Sequence, residues 1–103
     1  MARDFIEDKK GENPIVLNVS KLTTIAHYFV ITHGNSTPHV KAIADHLMIS
    51  FKAQKMKIYH FEGLDSGEWV LLDFGAVLVH IFLRDKREFY SLESLWGDSK
   101  EIK

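Results

Sequence analysis

The sequence predicts an α/β domain built on a mixed five-stranded sheet with flanking helices, and three stretches carry that prediction. "YFVIT" is dense in aromatic and β-branched residues and leads through "HGNS" into a long amphipathic stretch, the pattern of a strand followed by a crossover helix. Further on, "EWVLLDF" and "VLVHIFL" flank the dipeptide "GA" and read as a hairpin. A crossover helix suits parallel neighbours and a hairpin forces antiparallel ones, so the sheet is mixed.

Taken in order, residues 1–10 read as the end of an amphipathic helix whose large apolar positions are Phe5 and Ile6, broken by "GEN". "PIVLNV" alternates Ile15, Leu17 and Val19 against Val16 and Asn18, a strand with proline at its entry. "SKLTTIAH" is a short connection with room for one helical turn. After "YFVIT", Thr37 is the expected N-cap and Pro38 the first helical residue, where its missing N–H costs nothing. Val40, Ile43, Ala44, Leu47 and Phe51 then share one stripe, so this helix covers the sheet. "MKIYHF" is the third strand and "EGLDSGE" a loop. In the hairpin, Gly75 supplies the positive φ of a type II′ turn. Phe89, Leu92, Leu95 and Trp96 form a helical stripe near the end, stopped at Gly97. The expected division is 1–13 as a helical remnant or flexible segment, 14–98 as the working domain and 99–103 as a tail.

A chain of 103 residues is one domain on length, with 13 basic residues against 14 acidic ones and a formal net charge of -1. Nothing global pulls it onto nucleic acid or an anionic membrane, and the basic run of Lys52, Lys55 and Lys57 is too modest for a nucleic-acid footprint, so direct sequence-specific nucleic-acid binding is not expected. No cysteine is present, which removes disulfides and thiolate chemistry. "MARDFIEDKK" is too charged for a signal peptide, and the apolar runs stop short of a membrane span. A cytosolic, cytoplasmic location is the default, and a mature organelle protein has the same appearance.

Catalytic and metal signals are weak. The six histidines never fall at the i, i+4 spacing that sets two ligands on adjacent helical turns. His80 and Asp73 share a hairpin face but stand two rungs apart, too far for a dyad. "HGNS" lacks the further glycines of a dinucleotide fingerprint and the Gly-Lys-Ser/Thr ending of a P-loop. Exposed N–H groups at the helix start allow weak anion binding, yet every helix start has them, so a structural cap is the simpler account. No cofactor, metal or enzymatic activity is expected.

The hairpin offers more. With a two-residue loop, Val70, Leu72, Phe74, Val77, Val79 and Ile81 form a core face, while Trp69, Leu71, Asp73, Leu78, His80 and Phe82 form the other. That second face is too apolar for plain solvent and has an acidic rim of Glu68, Asp73, Asp85 and Glu88. Either helices bury it or a basic protein partner uses it.

Over Pro14 to Asp98 the chain resembles the ribosomal silencing factor family, also called Iojap-like, through "IVLNVSKLTTIAHYFVITHGNSTPHVKAIAD", "EGLDSGEWVLLDFGAVLVHIF" and "REFYSLESLWGD". The resemblance implies a nucleotidyltransferase-like fold and a translational repressor. Such a protein binds the large ribosomal subunit through a basic ribosomal protein at the subunit interface and blocks subunit joining. Organelle relatives assist large-subunit assembly, and a homodimer is a further implied assembly. Partner binding would fall to Glu68, Trp69, Leu71, Asp73, His80 and Phe82, with Phe89, Tyr90, Leu92 and Trp96 in the core or at the interface. A remnant nucleotide site around His33 to Thr37 is the alternative, but Asp73 has no acidic partner two residues on, because position 75 is glycine. Two positions depart from the family pattern, which has aspartate where this chain has His27 and Ala76.

Overall fold

The hairpin forms in the expected register. In a computed structural model that describes residues 2–19, 27–86 and 100–102, β4 (Trp69–Asp73) and β5 (Val77–Leu83) pair antiparallel with Trp69 opposite Phe82 and Asp73 opposite Leu78. Gly75 has φ +86°, and the Phe74 N–H donates to the Val77 carbonyl at 2.9 Å, closing the two-residue loop.

Around it lie α1 (Ala2–Asp8), β1 (Glu12–Asn18), β2 (Tyr28–Gly34), α2 (Thr37–Ala53) and β3 (His60–Glu62). A short C-terminal strand, β6 (Lys100–Ile102), adds to the five expected ones, and the sheet order is β3-β4-β5-β2-β1-β6. β2 and β5 are parallel at its centre, and every other pair is antiparallel. The mixed α/β architecture therefore follows from one crossover through α2 and from antiparallel pairing elsewhere.

Alternation along the strands divides the core into two faces. On the helix side Val30, Val70, Leu72, Phe74, Val79 and Ile81 meet Val40, Ile43, Ala44, Leu47 and Phe51 of α2. Ile6 of α1 is fully buried in the same cluster, so the N-terminal segment packs on the domain. Each such large side chain contributes about 1.5–3 kcal/mol by leaving water. On the opposite side Leu17, Val19, Phe29, Ile31, Leu78 and Phe82 form the second cluster.

Three local expectations are corrected. The N-cap of α2 is Ser36 rather than Thr37: Ser36 is extended (φ -147°, ψ 163°), its Oγ accepts from the His39 N–H at 3.2 Å, and Thr37 is already helical. Pro38 is then the second helical residue, a position whose N–H also lacks an intrahelical partner. We expect Ser36→Ala to cost about 1 kcal/mol in a denaturant titration and Thr37→Ala clearly less. β1 starts at Glu12, ahead of Pro14, and a bulge between Glu12 and Ile15 with Asn13 at φ 43° takes up one extra residue opposite β2. β3 is three residues long, because only His60 to Glu62 pair with β4. Residues 20–26, which hold most of "SKLTTIAH", and 87–99, which hold Phe89, Tyr90, Leu92 and Trp96, lie outside the described residues.

Candidate partner-binding face

β4 and β5 place Trp69, Leu71, Asp73, Leu78, His80 and Phe82 on the sheet face away from α2. The Trp69 ring stacks on Phe82, with centroids 5.0 Å apart and planes at 29°. The Trp69 Nε1–H donates to His80 Nδ1 at 3.3 Å. Phe29, reaching across from β2, sets its ring edge-on to His80 at 5.2 Å.

These contacts define the histidine's chemistry. An indole N–H only donates, so Nδ1 is the acceptor and the neutral ring carries its proton on Nε2. Nε2 is buried and has no hydrogen-bond partner among the described residues. Burial disfavours the charged form and pushes the His80 pKa down to about 4.

The predicted contact residues sort into two depths. Glu68 is exposed, and Trp69, Leu71 and Asp73 are half-buried. Phe82 is fully buried and His80 is 7% exposed, so these two support the face from beneath instead of presenting themselves to a partner. Asp73 also braces the hairpin turn, since its Oδ1 accepts the Gly75 N–H at 2.8 Å. Its second carboxylate oxygen lies outside that bond. Asp73 and His80 stand two rungs apart, as their register partners Leu78 and Leu71 require.

The "HGNS" turn supports a second polar group that sequence reasoning did not find. His33 Nε2 lies 2.9 Å from one Glu12 carboxylate oxygen, and Asn35 Nδ2 donates to the other at 3.0 Å. The Asn35 N–H donates to His39 Nδ1 at 3.0 Å, and the opposite ring nitrogen of His39 donates to the Lys9 carbonyl at 2.8 Å. Asn35 and then His33 hold the Glu12 carboxyl below its ordinary pKa. The donors around the helix start thus serve the chain's own acid and imidazole, which ties the α1–β1 connection to the β2–α2 turn. No local pattern signals this group, because Glu12 stands 21 residues from His33 and 23 from Asn35. No group of three or more potential metal ligands occurs among the described residues.

His27 and Ala76 are neighbours in space. The N–H groups of His27 and Tyr28 both donate to the Ala76 carbonyl, at 2.8 and 3.0 Å, and both His27 and Ala76 are exposed.

Comparison with known proteins agrees with this architecture. The family model described as "Ribosomal silencing factor during starvation" matches residues 1–103. A ribosomal silencing factor from Halalkalibacterium halodurans is 41% identical over 102 residues, covering 99% of this chain and 87% of the relative. A mouse protein named for mitochondrial assembly of the ribosomal large subunit is 31% identical, over 93% of this chain and 43% of its own length. A crystal structure of a Chromobacterium violaceum protein superposes with a TM-score of 0.91 at 41% identity, covering 93% of this chain and 80% of that one. With a family match along the whole chain, relatives at this identity and a shared fold, the chain belongs to the ribosomal silencing factor family.

Proposed function

We propose that this protein is a non-enzymatic repressor of translation that occupies a basic protein on the joining surface of the large ribosomal subunit and blocks subunit association sterically. The observation that carries the reading is the Trp69 indole, half-buried, stacked on Phe82 and hydrogen-bonded to His80. A large aromatic held in one orientation on a partly apolar face is the usual anchor of a protein interface. Leu71 extends the apolar contact, and Glu68 and the second oxygen of Asp73 favour a positively charged partner. The names of the relatives support a ribosomal target, and the mouse relative's name supports a second reading in which the same face serves large-subunit assembly. A nucleotidyltransferase remnant is disfavoured because Glu12, His33, Asn35 and His39 bond to one another at the turn such a site would use.

The test is co-sedimentation with isolated large subunits. The double substitution Trp69→Ala with Asp73→Asn keeps an acceptor for the Gly75 N–H, and we expect it to weaken binding by about tenfold or more. Unchanged co-sedimentation of the folded double variant rules out this face. Ribosome profiles of cells lacking the protein separate the two readings, since an assembly role predicts immature large particles and a silencing role predicts mature ones.

A further inference from the structure

We propose that the surface formed by the C-terminal end of α2 and the edge strand β3 binds a single-stranded segment of RNA, with lysines on phosphates and exposed rings on bases. Residues 46–61 contain Lys52, Lys55 and Lys57 and no acid, in a chain whose net charge is -1. The stretch's two histidines pair with neighbouring acids, His46 with Asp8 at 3.3 Å and His60 with Glu62 at 3.5 Å, so the lysines carry its charge. The three lysines are all exposed. Of the four exposed large hydrophobic residues among those described, Ile49, Tyr59 and Phe61 lie in the same stretch, at 69%, 65% and 51% exposure. Cationic side chains interleaved with exposed aromatic rings suit a strand that offers phosphates and bases in alternation.

The backbone gathers these groups into one patch. α2 ends with the Met56 N–H donating to the Phe51 carbonyl and the Lys55 N–H to the Lys52 carbonyl, both at 2.9 Å, with Lys55 at φ 63°. This is a Schellman ending with lysine where glycine is favoured. Beyond it, Lys57 Nζ stands 5.3 Å from the Tyr59 ring centroid, and the Tyr59 N–H donates to the Asp73 carbonyl at 2.8 Å. Phe61 pairs with Leu72, whose side chain faces α2, so Phe61 sits on the helix side of the sheet edge. Lys52 projects from the same side of α2 as Lys41, three helical turns earlier. A Cβ built on Gly67 would lie 3.1 Å from Lys41 Cε, which turns that side of the helix toward the β3–β4 loop.

Lysines at a helix C-terminus also complement the helix dipole, but Lys57 lies four residues past Ala53, outside that field. An acidic peptide is the competing occupant. Strand addition would be its strongest mode, and a three-residue edge carrying Glu62 is a poor template for it. The RNA contact goes beyond the protein contact proposed above and uses none of its residues.

The experiment is fluorescence anisotropy with a short labelled oligo-uridine RNA in increasing salt. We expect saturable binding whose log–log slope against salt is roughly -2, for three phosphate contacts. Combining Lys52→Ala, Lys55→Gly and Lys57→Ala should weaken it at least about tenfold at low salt, while Tyr59→Ala weakens it and leaves the slope unchanged. Lys55→Gly alone should raise the unfolding midpoint while lowering RNA affinity, which separates binding from folding. The Trp69→Ala, Asp73→Asn double variant should bind RNA normally, so failure here and failure of the ribosomal-protein contact are distinguishable. Absence of saturable binding at low salt, indifference to the lysine substitutions, or equal competition by a poly-glutamate peptide overturns the proposal; the last outcome identifies an acidic protein segment as the occupant.

Discussion

Replacing Gly63 by alanine is expected to destabilise the domain by about 3 kcal/mol or more, lowering the thermal midpoint by roughly 10–20 °C. Gly63 has φ +84°, a conformation that costs an L-residue about 1–2 kcal/mol. A Cβ there would also overlap the Trp69 carbonyl oxygen, and backbone cannot swing aside as a side chain can. The surrounding chain has little slack, because the Gly67 N–H donates to the Gly63 carbonyl at 3.0 Å and the Leu83 N–H to the Glu68 carbonyl at 2.7 Å. Gly75→Ala is the comparison. Its φ of +86° is equally unfavourable, but its nearest new contact is the Tyr59 side chain at 3.1 Å, which can rotate, so only the conformational cost of about 1–2 kcal/mol is expected. Calorimetry that found the two substitutions equally costly would refute the claim that the Trp69 backbone blocks position 63. Because the same peptide carries the Trp69 side chain, Gly63→Ala should also weaken large-subunit binding in whatever fraction remains folded.

Features held by local periodicity are legible in sequence. The α2 stripe of Val40, Ile43, Ala44, Leu47 and Phe51 is the buried face, and the hairpin pairs Trp69 with Phe82 as a two-residue loop demands. Expectations fail where two local signals compete. "ST" before Pro38 offers two hydroxyl caps one residue apart, and proline's preference for the first helical position points to the wrong one. Pro14 similarly marks a strand entry, whereas the bulge at Asn13 lets β1 begin at Glu12. Partnerships distant in sequence leave no local trace: Glu12 with His33 and Asn35, or β6 with β1. The partner face shows the same limit. Alternation assigns six residues to one side correctly, but it does not separate the half-buried Trp69 and Leu71 from the buried Phe82 beneath them.

That layering bears on how the face would serve the proposed contact. Stacking on Phe82 and the bond to His80 hold the Trp69 indole before any partner arrives, so less rotamer entropy is lost on binding. His27 and Ala76 flank the turn end of the hairpin without negative charge, which leaves Asp73 as the hairpin's own carboxylate at that end. On the proposed function, attraction for a basic partner would rest on few carboxylates and the aromatic anchor would carry a larger share of the contact.

The support beneath Trp69 makes stability depend on pH in a defined window. His80 has a folded pKa of about 4 against an ordinary 6.5, and burial is the cause. Between those values the unfolded chain binds a proton that the folded chain refuses, so stability is complete above about pH 6.5 and falls as pH drops. The loss is fully developed below about pH 4 and amounts to roughly 3 kcal/mol, because each tenfold drop in proton affinity corresponds to about 1.4 kcal/mol. Protonation would place a hydrogen on Nδ1, where the Trp69 N–H already points, and a charge between Phe29 and Phe82. Glu12 acts in the same direction, since a lowered carboxylate pKa also loses stability as acid is added, but its window lies below its ordinary value of 4.5. The interval from about pH 5 to 6.5 therefore reports on His80. His80→Gln keeps an acceptor for the indole and removes the titration, so the stabilities of wild type and variant from urea titrations should diverge with falling pH across that interval and run parallel above it. Parallel curves throughout would mean that the imidazole becomes charged in the folded state at little cost, and the buried, neutral Trp69–His80 pair would have to be abandoned.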